Sequence, residues 1–125
     1  MKLPAPDQKP LEWVGSAYKD LLAFPETARR DVGYALGLAQ LGDKHPGSKP
    51  WHGEGPGVFE FVQAVEGNAF RSVYTVRFAK AVYVLHCFQK KSSSGTRTAK
   101  HDVVLIHERL QRALKHYEVN YGSQD

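Results

Sequence analysis

Three strand-like segments follow one another closely in the middle of this chain, and they constrain its fold more than any other feature. The segments Val58–Val65, Arg71–Phe78 and Ala81–Phe88 are rich in valine, tyrosine and phenylalanine, and turn residues lie between them. Their connections are short, whereas a parallel crossover needs roughly a dozen residues or more. The sequence therefore predicts three antiparallel strands joined as a meander.

Helical patterns precede and follow this meander. Ser16–Phe24 and Pro25–Leu41 are predicted to form a helical hairpin, and a last helix is predicted from Ala99–Tyr117, with its apolar residues on one side. Gly33 and Gly37 predict that another backbone packs closely on the second helix, because glycine otherwise weakens a helix. The order of elements predicts an α+β fold with the helices on one face of a small antiparallel sheet.

The chain is expected to form one domain, because 125 residues suffice for a single hydrophobic core. Residues 1–10 are proline-rich and without periodicity, so they are predicted to be a flexible arm. Residues 11–117 are predicted to be the folded domain, and residues 118–125 a polar tail. Residues 42–57 are rich in glycine and proline, which predicts a long loop without regular structure.

The single cysteine, Cys87, excludes an internal disulfide and leaves a thiolate zinc site without ligands. Cys87 is expected to pack as a small apolar residue in a reducing cytoplasm.

No apolar segment approaches the roughly 18 residues of a membrane span, so we expect no membrane partner. His45, His52 and Glu54 in the long loop do not complete a metal shell, so no metal is expected.

The net charge of +4 is distributed unevenly along the chain. No acidic residue lies between Glu66 and Asp102, where seven basic residues fall. Such segregation favours a polyanionic partner such as nucleic acid, and a solvated basic surface without a partner is the alternative interpretation. The seven residues are Arg71, Arg77, Lys80, Lys90, Lys91, Arg97 and Lys100.

Strand alternation predicts where some of these charges lie. Arg71 and Arg77 are expected on one face of the second strand, and the core residues on the other. That face is predicted to be free of helices, with Lys90 and Lys91 entering from the end of the third strand. Arginine binds phosphate through a planar fork of donors and lysine as a point charge, so the cluster suits a phosphodiester. Simple solvated strand residues are the alternative.

Two histidines receive different interpretations. His101 lies near the start of the last helix, inside the acid-free segment, and is a candidate general acid–base because its ordinary pKa is near neutrality. His86 lies in a strongly apolar strand and is interpreted as a core histidine.

Four short stretches form a distinctive pattern by their order and spacing, namely Gly57–Glu60, Phe70–Val76, Leu85–Ser92 and Thr98–Asp102. In this pattern the chain resembles the phage-derived, HigB-type branch of the RelE/ParE toxin superfamily, and the resemblance covers residues 11–117. Members read Glu-Leu-Arg in the first strand of the meander, where this chain has Glu60-Phe61-Val62. Many read Thr-Pro before the last helix, where this chain has Thr98-Ala99.

The resemblance implies a RelE-like fold and the toxin of a type II toxin–antitoxin pair, which cleaves mRNA on the ribosome without a metal or cofactor. The RNA 2′-hydroxyl would attack the neighbouring phosphate. Arg71 would contact that phosphate, and Lys90 and Lys91 would clamp it or transfer a proton, with His101 added by its position. The implied partners are a helix-turn-helix antitoxin and mRNA.

The same residues are compatible with two other functions. One is a ParE-like gyrase inhibitor, which shares the scaffold without nuclease chemistry. The other is a non-catalytic phage protein that binds nucleic acid. A fold does not distinguish among these three functions. The residues predicted to bind RNA outside the catalytic set are Arg77, Lys80, Arg97 and Lys100.

Overall fold

A computed structural model of the chain describes residues 8–90 and 98–122. Two predicted site residues, Lys91 and Arg97, lie outside the described residues, as do most of the predicted arm and the end of the predicted tail. The elements, in chain order, are β1 Leu11–Trp13, α1 Ala17–Leu22, α2 Glu26–Gln40, β2 Ser48–Pro50, β3 Val58–Val65, β4 Asn68–Thr75, β5 Val82–Lys90 and α3 Lys100–Tyr121.

The strands form one mixed sheet in the order β1-β5-β4-β3-β2. Strands β3, β4 and β5 are antiparallel neighbours, which confirms the predicted meander. Strand β1 pairs in parallel with β5, where Leu11 lies opposite Val82, so the sheet is not purely antiparallel. Strand β2 pairs with β3 at the other edge. The prediction of a loop without regular structure was wrong there, because a short edge strand tolerates the proline that ends it.

Helices cover both faces of the sheet. Buried residues of α1 and α2 pack against Val82 and Val84 of β5. Buried residues of α3 pack on the opposite face, against Tyr83 and Leu85. The prediction that all helices lie on one face was therefore wrong. The helices lie on both faces because β5 is apolar on both sides, so that each face of the strand must be covered.

A β-bulge in the pairing of β4 with β5 redirects one side chain. Val73 lies opposite His86 and Tyr74 lies opposite Val84, so Leu85 is the extra residue. Because of this extra residue, Leu85 and His86 both face α3.

The helices differ from their predictions in two details. In the part of the chain that the structure describes, no atom outside the surrounding helix lies within 4 Å of a Cβ built on Gly33 or Gly37, so the expected close approach of another backbone is absent there. Helix α3 continues past Tyr117 to Tyr121. The extra turn is held there because the Tyr121 ring stacks on Tyr117 at 5.2 Å and its hydroxyl donates a hydrogen bond to Glu12.

Candidate functional site

Arg71 lies on the face of β4 that α3 covers, and it pairs with Glu60 of β3. In the register of the two strands Arg71 lies opposite Val62, and Glu60 lies opposite Val73. The Glu60 carboxylate accepts a hydrogen bond from Arg71 Nη1. The side chains are only 11% and 18% exposed, respectively. The arginine that was predicted to contact phosphate is thus mostly buried and already paired with an anion.

The donors of Arg71 are only partly used. A guanidinium carries five N–H groups, and the buried Arg71 Nε–H has no hydrogen-bond partner among residues 8–90 and 98–122. An unpaired buried donor costs roughly 1–3 kcal/mol, more when the group is charged. Arg71 therefore has capacity for a second anionic acceptor, provided that the acceptor can reach it.

Lys90 ends β5 on the same face of the sheet. Phe88 lies opposite Arg71, and Lys90 follows two residues later, so strand alternation points both side chains to the Arg71 side. Desolvation lowers the pKa of Lys90, and the positive charge of Arg71 lowers it further, whereas Glu60 acts in the opposite direction. Glu60, Arg71 and Lys90 thus interact as one group of charges, which we call the Arg71 cluster.

Arg77 does not belong to the Arg71 cluster. Strand β4 ends at Thr75, so Arg77 lies beyond it in the connection to β5. Its guanidinium donates hydrogen bonds to the backbone carbonyls of Glu54 and Pro56 and so holds the loop that precedes β3. The predicted placement of Arg71 and Arg77 side by side on one strand was wrong, because the strand is shorter than the apolar pattern indicated.

Lys80 also lies away from the Arg71 cluster. It precedes β5, and its backbone N–H donates to the Tyr117 hydroxyl, while its Nζ donates to the Tyr121 carbonyl. Strand β5 separates Lys80 from Lys90 by roughly 30 Å at the usual rise per residue. Lys80 is thus near the C-terminal end of α3, not near the cluster.

His101 is an exposed side chain at the start of α3. It is 82% exposed, and its Nδ1 lies 3.5 Å from the carboxylate of Asp102. Nothing in the described part of the chain buries the imidazole, so it is free to meet a ligand. Its location is compatible with the predicted proton-transfer role.

His86 is buried between two charged side chains of α3. Its Nε2 lies 2.8 Å from Asp102 Oδ1, and its Nδ1 lies 3.3 Å from Arg109 Nη1. Because arginine only donates, Nδ1 accepts and the proton of the neutral imidazole is on Nε2. Burial lowers the pKa of His86, which favours this neutral form. The interpretation of His86 as a core histidine is confirmed.

Arg109 is a buried charged residue that the sequence interpretation did not identify. It is 6% exposed, and it donates hydrogen bonds to the Leu85 carbonyl and to Ser16 Oγ, which in turn donates to Asp20. The spacing of residues in the helix could have indicated that Arg109 is buried, since it lies three residues after the buried Ile106 on the same side of α3. With His86 and Asp102 it ties α3 to β5 and α1.

A cleft of about 1080 Å³ lies beside the Arg71 cluster, between α1, the end of β5 and the start of α3. Lys90, Lys100 and His101 contribute its polar rim, and Phe24 and Phe88 contribute apolar wall. This volume is slightly above the roughly 300–1,000 Å³ that is usual for small-molecule sites. The structure therefore brings three of the predicted site residues together here.

The described ranges, 8–90 and 98–122, contain no group of three or more side chains suited to hold a metal ion. No helix within them is long and apolar enough to cross a membrane.

Residues 19–111 match the family described as "Phage derived protein Gp49-like (DUF891)". The chain belongs to this family. Among solved structures, its fold is similar to that of an arginine double mutant of the E. coli toxin RelE in the free state. The two share 17% sequence identity with a TM-score of 0.55, over 84% of this chain and 97% of the other.

The Gp49-like chain thus has a RelE-like α+β fold, as predicted. At this identity the likeness to RelE concerns the fold. No curated protein sequence matches the chain significantly.

Proposed function

We propose that this Gp49-like protein is the toxin of a type II toxin–antitoxin pair and cleaves mRNA on the ribosome. The observation that carries the proposal is the Arg71 cluster, in which Lys90 lines a large cleft and Arg71 lies next to Lys90, paired with Glu60. Membership of a phage-derived family and the RelE-like fold support it. The implied partners are a helix-turn-helix antitoxin that covers the basic residues, and mRNA in the cytoplasm.

In the proposed reaction the 2′-hydroxyl of the RNA attacks the adjacent phosphorus, and the bond from phosphorus to the 5′-oxygen breaks. The products are a 2′,3′-cyclic phosphate and a 5′-hydroxyl. Arg71 stabilises the negative charge that develops on the phosphate oxygens. One proton leaves the 2′-hydroxyl and another reaches the 5′-oxygen. No metal or cofactor takes part in this scheme.

His101 and Lys90 are suited to the two proton transfers. The exposed imidazole of His101 accepts the proton of the 2′-hydroxyl in this proposal, since an imidazole nitrogen can accept a proton and this side chain is open to a substrate. Lys90, whose pKa is lowered beside Arg71, donates a proton to the 5′-oxygen. Lys91 is proposed to assist Lys90, although it lies outside the described residues.

The remaining predicted RNA-binding residues have different places in the proposal. Lys100 lies on the rim of the cleft and is proposed to contact the phosphate next to the scissile one. Arg77 and Lys80 lie away from the cleft, so they would meet only a longer RNA or the ribosome itself. Arg97 lies outside the described residues, and its role stays a prediction.

One observation favours a second candidate, a ParE-like gyrase inhibitor. Arg71 is 11% exposed and paired with Glu60, which is a structural arrangement that a scaffold without nuclease chemistry would also have. A gyrase inhibitor would arrest growth and inhibit supercoiling while leaving mRNA intact.

Induced expression in a bacterial host distinguishes these functions. We expect growth arrest with discrete new 5′ ends in cellular mRNA and normal supercoiling by purified gyrase. Arg71→Ala should abolish the new ends, whereas Arg30→Ala should retain them, because Arg30 is an exposed residue of α2, on the opposite face of the sheet. Arrest with intact mRNA and inhibited gyrase would refute the nuclease, and no arrest at all would favour a non-catalytic binding protein.

A further inference from the structure

Glu60 is an acidic residue among basic ones at the centre of the proposed site. Its carboxylate is 18% exposed and accepts the hydrogen bond of Arg71 Nη1. Its charge also acts on Lys90, the other cation of the cluster. The proposed RNA-binding site thus contains a negatively charged side chain of its own.

The geometry lets Glu60 and an RNA phosphate compete. Arginine binds phosphate best through two parallel N–H bonds from its fork, but Arg71 is only 11% exposed and its Nε–H is buried. A phosphate can therefore engage the fork only after the side chain leaves its paired position. Two anions at one guanidinium also repel each other, strongly where burial reduces solvent screening.

We propose that Glu60 is a built-in competitor of the RNA phosphate, which holds Arg71 in a closed pair until RNA displaces the carboxylate. Glu60 is then a positioning residue that acts through Arg71 and lowers the affinity of the free protein for RNA. The apparent affinity is the intrinsic affinity reduced by the fraction of molecules in which Arg71 is open. The identity of the anion as RNA rests on the proposed function.

The test compares the affinity of matched variants for a non-cleavable RNA. The probe is a short, fluorescein-labelled 2′-O-methyl RNA, and the measurement is its fluorescence anisotropy. Glu60→Gln should bind at least about fivefold more tightly than the parent, because the open fraction rises. Glu108→Gln is the control, since Glu108 is exposed on α3 and its replacement changes the net charge equally. It should change the affinity by less than about twofold, because charges on an exposed surface are screened by salt.

A double-mutant cycle with Arg71→Ala shows whether the effect passes through Arg71. Adding Glu60→Gln to Arg71→Ala should produce no gain in affinity beyond that of Glu108→Gln. An equal gain with and without Arg71 would overturn the proposal, because the effect would then be general charge. An affinity of Glu60→Gln that is unchanged, weaker or unmeasurable would overturn it too.

Cleavage kinetics separate the two proposals. If the nuclease function holds, Glu60→Gln should lower KM by at least about fivefold and change kcat by less than about tenfold, since it removes competition and reaches the reacting atoms only through the charge of Lys90. A drop of tenfold or more in kcat would make Glu60 part of the chemistry and overturn the competitor role. If the parent cleaves no mRNA, the proposed function fails, while the binding cycle still tests the Glu60–Arg71 pair.

Discussion

Acidification from about pH 7.5 to about pH 5.5 is expected to destabilise the protein through His86, since this range spans the ordinary pKa of histidine. Burial lowers the pKa of His86 in the folded protein, and the charge of Arg109 adds to this, while Asp102 and Asp20 partly oppose it. The unfolded chain then binds a proton that the folded chain does not bind. Stability therefore falls as the pH falls.

The size of the effect follows from the linkage of one proton. If His86 stays neutral in the folded protein over these two pH units, the loss in the free energy of unfolding reaches at most about 1.4 kcal/mol. Burial of His86, which is 5% exposed, and the Arg109 guanidinium that a proton on Nδ1 would face both favour the neutral imidazole and so act toward this limit.

Urea denaturation of the parent and of His86→Gln at both pH values measures this contribution. Glutamine can donate to Asp102 and accept from Arg109 as the neutral imidazole does, but it does not titrate. The pH dependence of all other groups cancels in the comparison. We expect the parent to lose up to about 1.4 kcal/mol more than His86→Gln on acidification. Equal losses, or a relative gain by the parent, would refute the account of the buried network.

Three further predictions follow from single residues. Gly57→Ala should lower stability by about 1–2 kcal/mol in urea denaturation, because Gly57 has φ +86° and its Cβ would lie 3.2 Å from a neighbouring backbone atom. The control Gly37→Ala, in open helical space, should raise stability by about 0.5–1 kcal/mol, and equal effects would contradict both assignments. The thiol of Cys87, whose pKa burial raises to about 11, should react with Ellman's reagent only when the protein unfolds; rapid reaction would contradict its burial. Tyr74→Phe should cost about 1 kcal/mol in urea denaturation, because the hydroxyl donates to buried Ser48 at 2.8 Å; no loss would contradict that bond.

The local part of the fold could be predicted from the sequence. The meander follows from alternating residues joined by short connections, and helix α2 follows from its periodicity and its glycine-containing end. The alternation of β4 was also predictable, since Arg71 and Val73 point to one face and Ser72 and Tyr74 to the other. These features depend on neighbours in sequence. The prediction that the Arg71 face is free of helices was wrong, because α3 packs on that face against Val73.

The non-local part could not be predicted in the same way. The parallel pairing of β1 with β5 joins segments about seventy residues apart, and nothing in the local pattern specifies it. The sequence did indicate that helices cover both faces of the sheet, because Val82–Leu85 is an unbroken apolar run. That run is typical of a strand buried on both sides.

In the candidate site, too, the local features could be predicted from the sequence and the non-local ones could not. Arg71, Lys90, Lys100 and His101 could be selected from charge and position, and the structure places them around one cleft or beside it. The pairing of Arg71 with Glu60 requires the strand register, so it was not predictable from composition.

The Arg71 cluster is proposed to cleave RNA through the 2′-hydroxyl. The most direct test of this proposal is the end chemistry of an mRNA translated in a purified system with the parent protein or Arg71→Ala. We expect fragments with 2′,3′-cyclic phosphate and 5′-hydroxyl ends for the parent and intact mRNA for Arg71→Ala. Intact mRNA with the parent, fragments with 5′-phosphate ends, or equal cleavage by Arg71→Ala would contradict it.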